Sequence, residues 1–165
     1  MENFGTVKEG DYLLIDYTGK LEDGTVFDTT SKEKAIKAGI YCEEKEYRPL
    51  FFRAYTGQVI KGIDVGVLGM KEGEEKTLKI SPEDAYGEHK KYLVQDIPLS
   101  RLGLQFPPKT ETKILTPGGK EVKVLSSTET SATLDFNHEL AGKTLILEIK
   151  LVSIVSLFQN PQNRW

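Results

Sequence analysis

The pairing in this chain with the most chemical promise is Phe27-Asp28, which follows a run of strand-forming residues and precedes Thr29-Thr30-Ser31. At a strand end such a pair can set a carboxylate inside a largely apolar cleft. Adjacent strand residues point to opposite faces, so both side chains line one pocket only where the strand ends or bulges. Thr29-Thr30-Ser31 supplies a plausible ending. Taken alone the pair is commonplace, and a core aromatic beside a surface acid is its ordinary meaning. Other chemistries find less support. His89 and His138 have no neighbours at metal-ligand spacing and Cys42 is the single cysteine, so no metal site is expected. No serine, cysteine or threonine has a base and an orienting group at hand, which argues against nucleophilic hydrolysis. Thr56-Gly57-Gln58-Val59-Ile60-Lys61-Gly62 lacks both the Lys-Ser/Thr ending of a phosphate loop and the dinucleotide glycine pattern, so its glycines serve backbone geometry.

The elements that must position these residues are mostly extended. Residues 11–19 are rich in aromatic and branched side chains and read as a strand, followed by an Asp23-Gly24 hairpin turn into Val26-Phe27-Asp28. Thr30 and Glu33 have capping-box spacing and Gly39 stands where a helix ends, predicting a short polar helix over 31–38. Residues 46–56 read as extended, and Val59, Ile60, Ile63 and Val67 recur at helical spacing over 59–68. Gly62 and Gly66 each cost about 1 kcal/mol inside a helix, so this one needs a sheet over its apolar face. Strands are expected at 76–80 and 144–155. Between them, Pro107-Pro108, Pro117-Gly118-Gly119 and short strand-like runs at 113–115, 122–125 and 132–136 predict a second small β-rich unit inserted in a loop of the first.

The organisation expected is therefore a discontinuous domain, 1–87 with 138–157, an inserted domain, 88–137, and a loose tail, 158–165. A length of 165 residues, 38% hydrophobic and 28% charged with net charge -3, can bury a core and is neither a disordered tail nor a basic nucleic-acid binder. The near balance of charge in 88–137 disfavours an electrostatic clamp. A single cysteine and an opening Met1-Glu2-Asn3 without a basic or apolar run predict a cytoplasmic protein, and no stretch approaches membrane-spanning length. A monomer is expected.

Several motifs then occur in order: Tyr17-Thr18-Gly19 with Asp23-Gly24-Thr25-Val26-Phe27-Asp28, Gly57-Gln58-Val59-Ile60-Lys61-Gly62-Ile63-Asp64, Gly69-Met70-Lys71-Glu72-Gly73-Glu74, and Pro82-Glu83-Asp84-Ala85-Tyr86-Gly87. Together they resemble the FKBP family of peptidyl-prolyl cis-trans isomerases. Asn137-His138-Glu139-Leu140-Ala141-Gly142-Lys143-Thr144-Leu145 is similar to the SlyD-like branch, whose flap carries a chaperone domain, and segment 31–48 resembles archaeal short-type members. The resemblance covers about Asp11 to Val155. It implies an α+β fold, a bent antiparallel sheet wrapped on a short helix with a small β-rich domain in the flap. It also implies rotation of X-Pro bonds in unfolded or partly folded polypeptides, without a cofactor. Asp28, Tyr86, Tyr17 and Phe27 would be the catalytic residues, and Leu50, Val59, Ile60, Ile63 and Leu147 would bind substrate. Ile63 stands where tryptophan is frequent, and Leu50 and Leu147 where phenylalanine is, so activity is expected to survive more securely than tight macrolide binding. In the insert, Val94, Ile97, Leu102, Leu104, Phe106 and Leu115 exceed what a small core hides, predicting an exposed surface for unfolded chains. The competing reading is a non-catalytic chaperone that holds unfolded segments. Nickel handling, as in some SlyD-like proteins, would need a His- and Cys-rich tail that Phe158 to Trp165 lacks.

Overall fold

The computed structural model describes residues 5–155, so the expected tail at 158–165 lies outside the described residues. The chain divides into two compact units, one formed by the segments up to Gly87 and from Gly142 onward, the other by Glu88–Ala141. The second unit runs on to Ala141 rather than stopping at 137. A 3.1 Å ion pair between Lys113 and Glu139 ties that segment to it.

The first unit is built on an antiparallel sheet. Strands β1 (Tyr12–Leu21), β2 (Val26–Thr29), β3 (Leu50–Arg53), β4 (Glu75–Ile80) and β9 (Leu145–Val155) take the order β2-β1-β9-β4, with β3 pairing the first half of β1. Period-two alternation along β9 buries Leu145, Leu147, Ile149 and Leu151, which join Leu13 and Ile15 of β1 in the core. Helix α1 (Lys32–Ala38) ends at Gly39, whose φ of 74° closes it in the left-handed region. Its N-cap is Ser31, which accepts from Lys34 N, and not Thr30. The Thr30 hydroxyl is drawn instead to Asp16 Oδ1 at 3.0 Å, a tertiary partner that no local spacing encodes.

Helix α2 covers Lys61–Gly66, shorter than the periodic stretch 59–68. Val59 lies in a bend ahead of it and Ile60 stands at the N-cap position. Its glycines have a packing reason: a Cβ on Gly62 would lie 2.5 Å from Ile80, and one on Gly66 would lie 2.5 Å from Leu78. The helix thus sits directly on β4, and the contact replaces the stability its propensity lacks.

The second unit is a four-stranded antiparallel sheet in the order β5-β8-β7-β6, made of β5 (Val94–Pro98), β6 (Lys113–Leu115), β7 (Glu121–Ser127) and β8 (Ser131–Asp135). Leu99, Leu102, Val122, Val124, Ala132 and Leu134 form its core, with Ile97, Leu104, Ile114 and Phe136 packed against it. This corrects the expected exposed surface. Leu102 is only 8% exposed, Ile97 and Leu104 serve the unit's own core, and Val94 is half-buried. Phe106 and Leu115 are exposed, as is Tyr92, which the sequence reading passed over.

Candidate functional site

The condition that Phe27 and Asp28 share a pocket is met by a bulge. Opposite β1, Gly19 pairs with Asp28 and Lys20 with Val26, leaving Phe27 as the extra residue. That shift lets both side chains reach one cavity despite being adjacent. Gly19 makes room for the ring: a Cβ there would stand 2.5 Å from Phe27 Cζ and 3.0 Å from Leu147 Cδ2.

The cavity holds about 500 Å³ and is lined by Tyr17, Phe27, Asp28, Leu50, Gly57, Gln58, Val59, Ile60, Ile63, Tyr86, Leu145 and Leu147. The structure brings together in this one hollow all nine residues expected at the catalytic and substrate-binding positions. Leu145, Gly57 and Gln58 were not foreseen. Leu145 was within reach, since it lies two residues before Leu147 on β9 and shares its face. A larger hollow of about 710 Å³ also touches Tyr17, but Asp16, Glu75, Glu148, Lys76 and Lys150 line it. Its mixed charges mark a solvated face of the sheet rather than a site for an apolar ring.

Asp64 fixes the loop between β3 and α2 that carries Val59 and Ile60. It is 6% exposed, and its two carboxylate oxygens accept the Tyr55 and Gly57 N–H groups, each at 2.9 Å. These bonds hold the loop where Tyr55, at φ 60°, leaves the region favoured by a side-chain-bearing residue.

Asp28 accepts three donors. The Tyr17 hydroxyl donates to Oδ2 at 2.5 Å, while Oδ1 accepts the Thr29 N–H at 2.9 Å and the Lys45 ammonium at 2.5 Å. Burial, the hydrogen bond to Asp28 and the charge of that carboxylate together push the Tyr17 hydroxyl well above the usual tyrosine range. Tyr17 therefore remains a donor throughout the physiological range. Tyr86 reaches the cavity from the segment just after a 3₁₀ turn, Pro82–Asp84, and is 40% exposed.

The arrangement is a largely apolar hollow with one carboxylate held in place and two phenols on its wall. Among the described residues no three His, Cys, Asp or Glu side chains are grouped to hold a metal ion. No helix among them is long and apolar enough to cross a membrane.

The family model described as FKBP-type peptidyl-prolyl cis-trans isomerase matches residues 5–152. The chain belongs to the FKBP family. It is 41% identical over 146 residues to the short-type peptidyl-prolyl cis-trans isomerase of Methanocaldococcus jannaschii, covering 88% of this chain and 92% of that one. A protein of Pseudomonas fluorescens, described as a probable FKBP-type 16 kDa peptidyl-prolyl cis-trans isomerase, is 30% identical over 154 residues, covering 88% and 89% of the two chains. Against peptidyl-prolyl cis-trans isomerase FKBP2 of Mus musculus the identity is 46%, but over 81 residues that make up 49% of each chain. As an FKBP member this chain is a peptidyl-prolyl cis-trans isomerase, whose substrates are proline-containing polypeptides.

Proposed function

We propose that X-Pro bonds rotate in the cavity formed by Phe27, Asp28, Ile63 and Tyr86. The observation that carries this is the convergence of the nine expected residues on one hollow of about 500 Å³. Peptide-bond rotation faces a barrier of about 18 to 20 kcal/mol because resonance holds the amide flat. Only preferential binding of the twisted form lowers it. A twisted amide has lost charge separation between oxygen and nitrogen, so an apolar wall that strips water penalises the planar form more. Phe27, Val59, Ile60, Ile63 and the leucines grip the proline ring, Tyr86 donates to a substrate carbonyl, and Asp28 orients Tyr17. Replacing Asp28 by Ala, with folding verified by circular dichroism, should lower isomerisation of a short Pro peptide; unchanged turnover would dismiss the role of Asp28.

The same reading treats Glu88–Ala141 as an insertion in the flap that holds unfolded segments for a cytoplasmic isomerase. Phe106 at 77%, Tyr92 at 68% and Leu115 at 68% exposure support it, because side chains this open are accessible to an unfolded chain. The Gly142 N–H donates to Gly87 O at 2.7 Å, so the ends left by excising the unit already lie within hydrogen-bonding distance. The shortened chain should keep its rate on tetrapeptides and lose most of its advantage on a protein whose refolding is limited by proline. Equal loss on both substrates would refute a separate holding site. A non-catalytic chaperone would instead show no rate on tetrapeptides with either chain.

A further inference from the structure

Among the described residues that line the cavity Asp28 is the only charged one, and it has a partner outside that lining. Lys45 comes from the loop between α1 and β3, in the run Glu43-Glu44-Lys45-Glu46. Its ammonium contacts Asp28 Oδ1, donates to Thr29 O at 3.2 Å and stands 5.3 Å from the centre of the Tyr47 ring. The loop is ordered so that Lys45 arrives there. Tyr41 and Tyr47 stack at 5.7 Å, the Tyr47 hydroxyl accepts from Cys42 N at 3.0 Å, and Lys45 N closes a turn on Cys42 O. The neighbouring glutamates remain exposed, and Glu46 pairs with Arg48. A lysine lifted out of an acidic run and held by a carboxylate, a carbonyl and a ring has been committed to one position.

We propose that Lys45 is a specificity-determining residue of the isomerase: by pairing with Asp28 it cancels the one charge of the cavity, so that substrates are accepted with little regard to the charge beside their proline. It acts through Asp28 and does not itself line the hollow. Without it the cavity presents an uncompensated carboxylate to the flanking residue, which attracts lysine and repels glutamate. Lys45 and Asp28 are each partly exposed, at 40% and 38%, so the effect is that of a screened charge, large enough to rank substrates and too small to abolish turnover.

This inference rests on the proposed cavity as the seat of the reaction. The test is kcat/KM on tetrapeptides that differ only in the residue before proline, glutamate, leucine or lysine, with leucine as the internal reference. The intact chain should treat the lysine and glutamate peptides alike. Lys45→Met should raise the lysine-to-glutamate ratio about tenfold, and concentrated salt should erase the change. Lys45→Arg should keep the original ratio, and Asp28→Asn with Lys45→Met should remove the preference. If Lys45→Met fails to fold, Lys45→Gln carries the same comparison. A ratio unchanged in the charge-removing variant, whatever its overall rate, overturns the proposal. Phe27→Ala separates the two levels. Turnover that survives it refutes the cavity, whereas turnover lost there with selectivity unmoved by Lys45→Met refutes this inference alone.

Discussion

Replacing Gly19 by Ala should damage activity far more than stability. The new Cβ would meet Phe27 Cζ at 2.5 Å, against an ordinary contact of 3.4 Å or more, so one side must retreat by about 1 Å. Leu147, 3.0 Å from the same point, is 2% exposed and meets the new group less closely than the Phe27 ring does. Phe27 is half-buried and borders a cavity of about 500 Å³, so its ring is the part that yields, into the space a proline would occupy. Folding gains roughly 0.5 to 1 kcal/mol from removing a flexible glycine from a strand. It loses about 0.5 to 1.5 kcal/mol by driving the ring off its rotamer. The two nearly cancel, leaving stability within about 1 kcal/mol of the parent. Catalysis has no such offset, since a displacement of about 1 Å at a gripping surface costs up to ~100-fold. Urea unfolding and the kcat/KM for a Pro tetrapeptide, followed after a solvent jump, measure the two quantities separately. A variant with parental stability and a kcat/KM within about twofold of the parent would show that this ring does not grip the substrate. A loss of about 3 kcal/mol or more would show that the ring cannot yield into the cavity.

Gly62→Ala offers the contrast, because its obstacle, Ile80, is 3% exposed and would be met at three of its side-chain carbons at once, at 2.5 to 2.7 Å. A helix-propensity gain of about 1 kcal/mol should be outweighed by overpacking of 1 to 3 kcal/mol, giving a lower urea midpoint; a higher midpoint would refute the seating of α2 on β4. Tyr17→Phe should flatten the alkaline limb of the stability curve. The folded hydroxyl is held above its unfolded value, so in the parent the unfolded chain releases that proton first and stability falls as pH rises above about 10. Titrating unfolding of both chains from pH 8 to 11 checks this, and identical slopes would remove Tyr17 as the cause.

What could be read from the sequence was periodic or local. Alternation along 144–155 located β9, and Asp23-Gly24 located the hairpin, where Gly24 takes a φ of 90°. The resemblance named nine of the twelve residues that line the cavity, although Phe27 and Asp28 could share a face only through a bulge whose partner register involves β1. Strand β5 escaped because it is short and ends in Pro98, which demotes such a run on local grounds. Leu102 was placed on a surface because composition counts apolar residues without saying which ones a small core takes. Lys45 was harder still. In sequence it belongs to a charged run that reads as a solvated loop, and its partner lies seventeen positions earlier, at Asp28. The Tyr41–Tyr47 stack and the turn on Cys42 help to close that distance. Motifs therefore fix most of the residues that line the cavity, whereas the charge the cavity presents depends on a loop outside the motifs. Relatives that share Asp28 but end this loop differently should differ in substrate charge preference while keeping the same cavity.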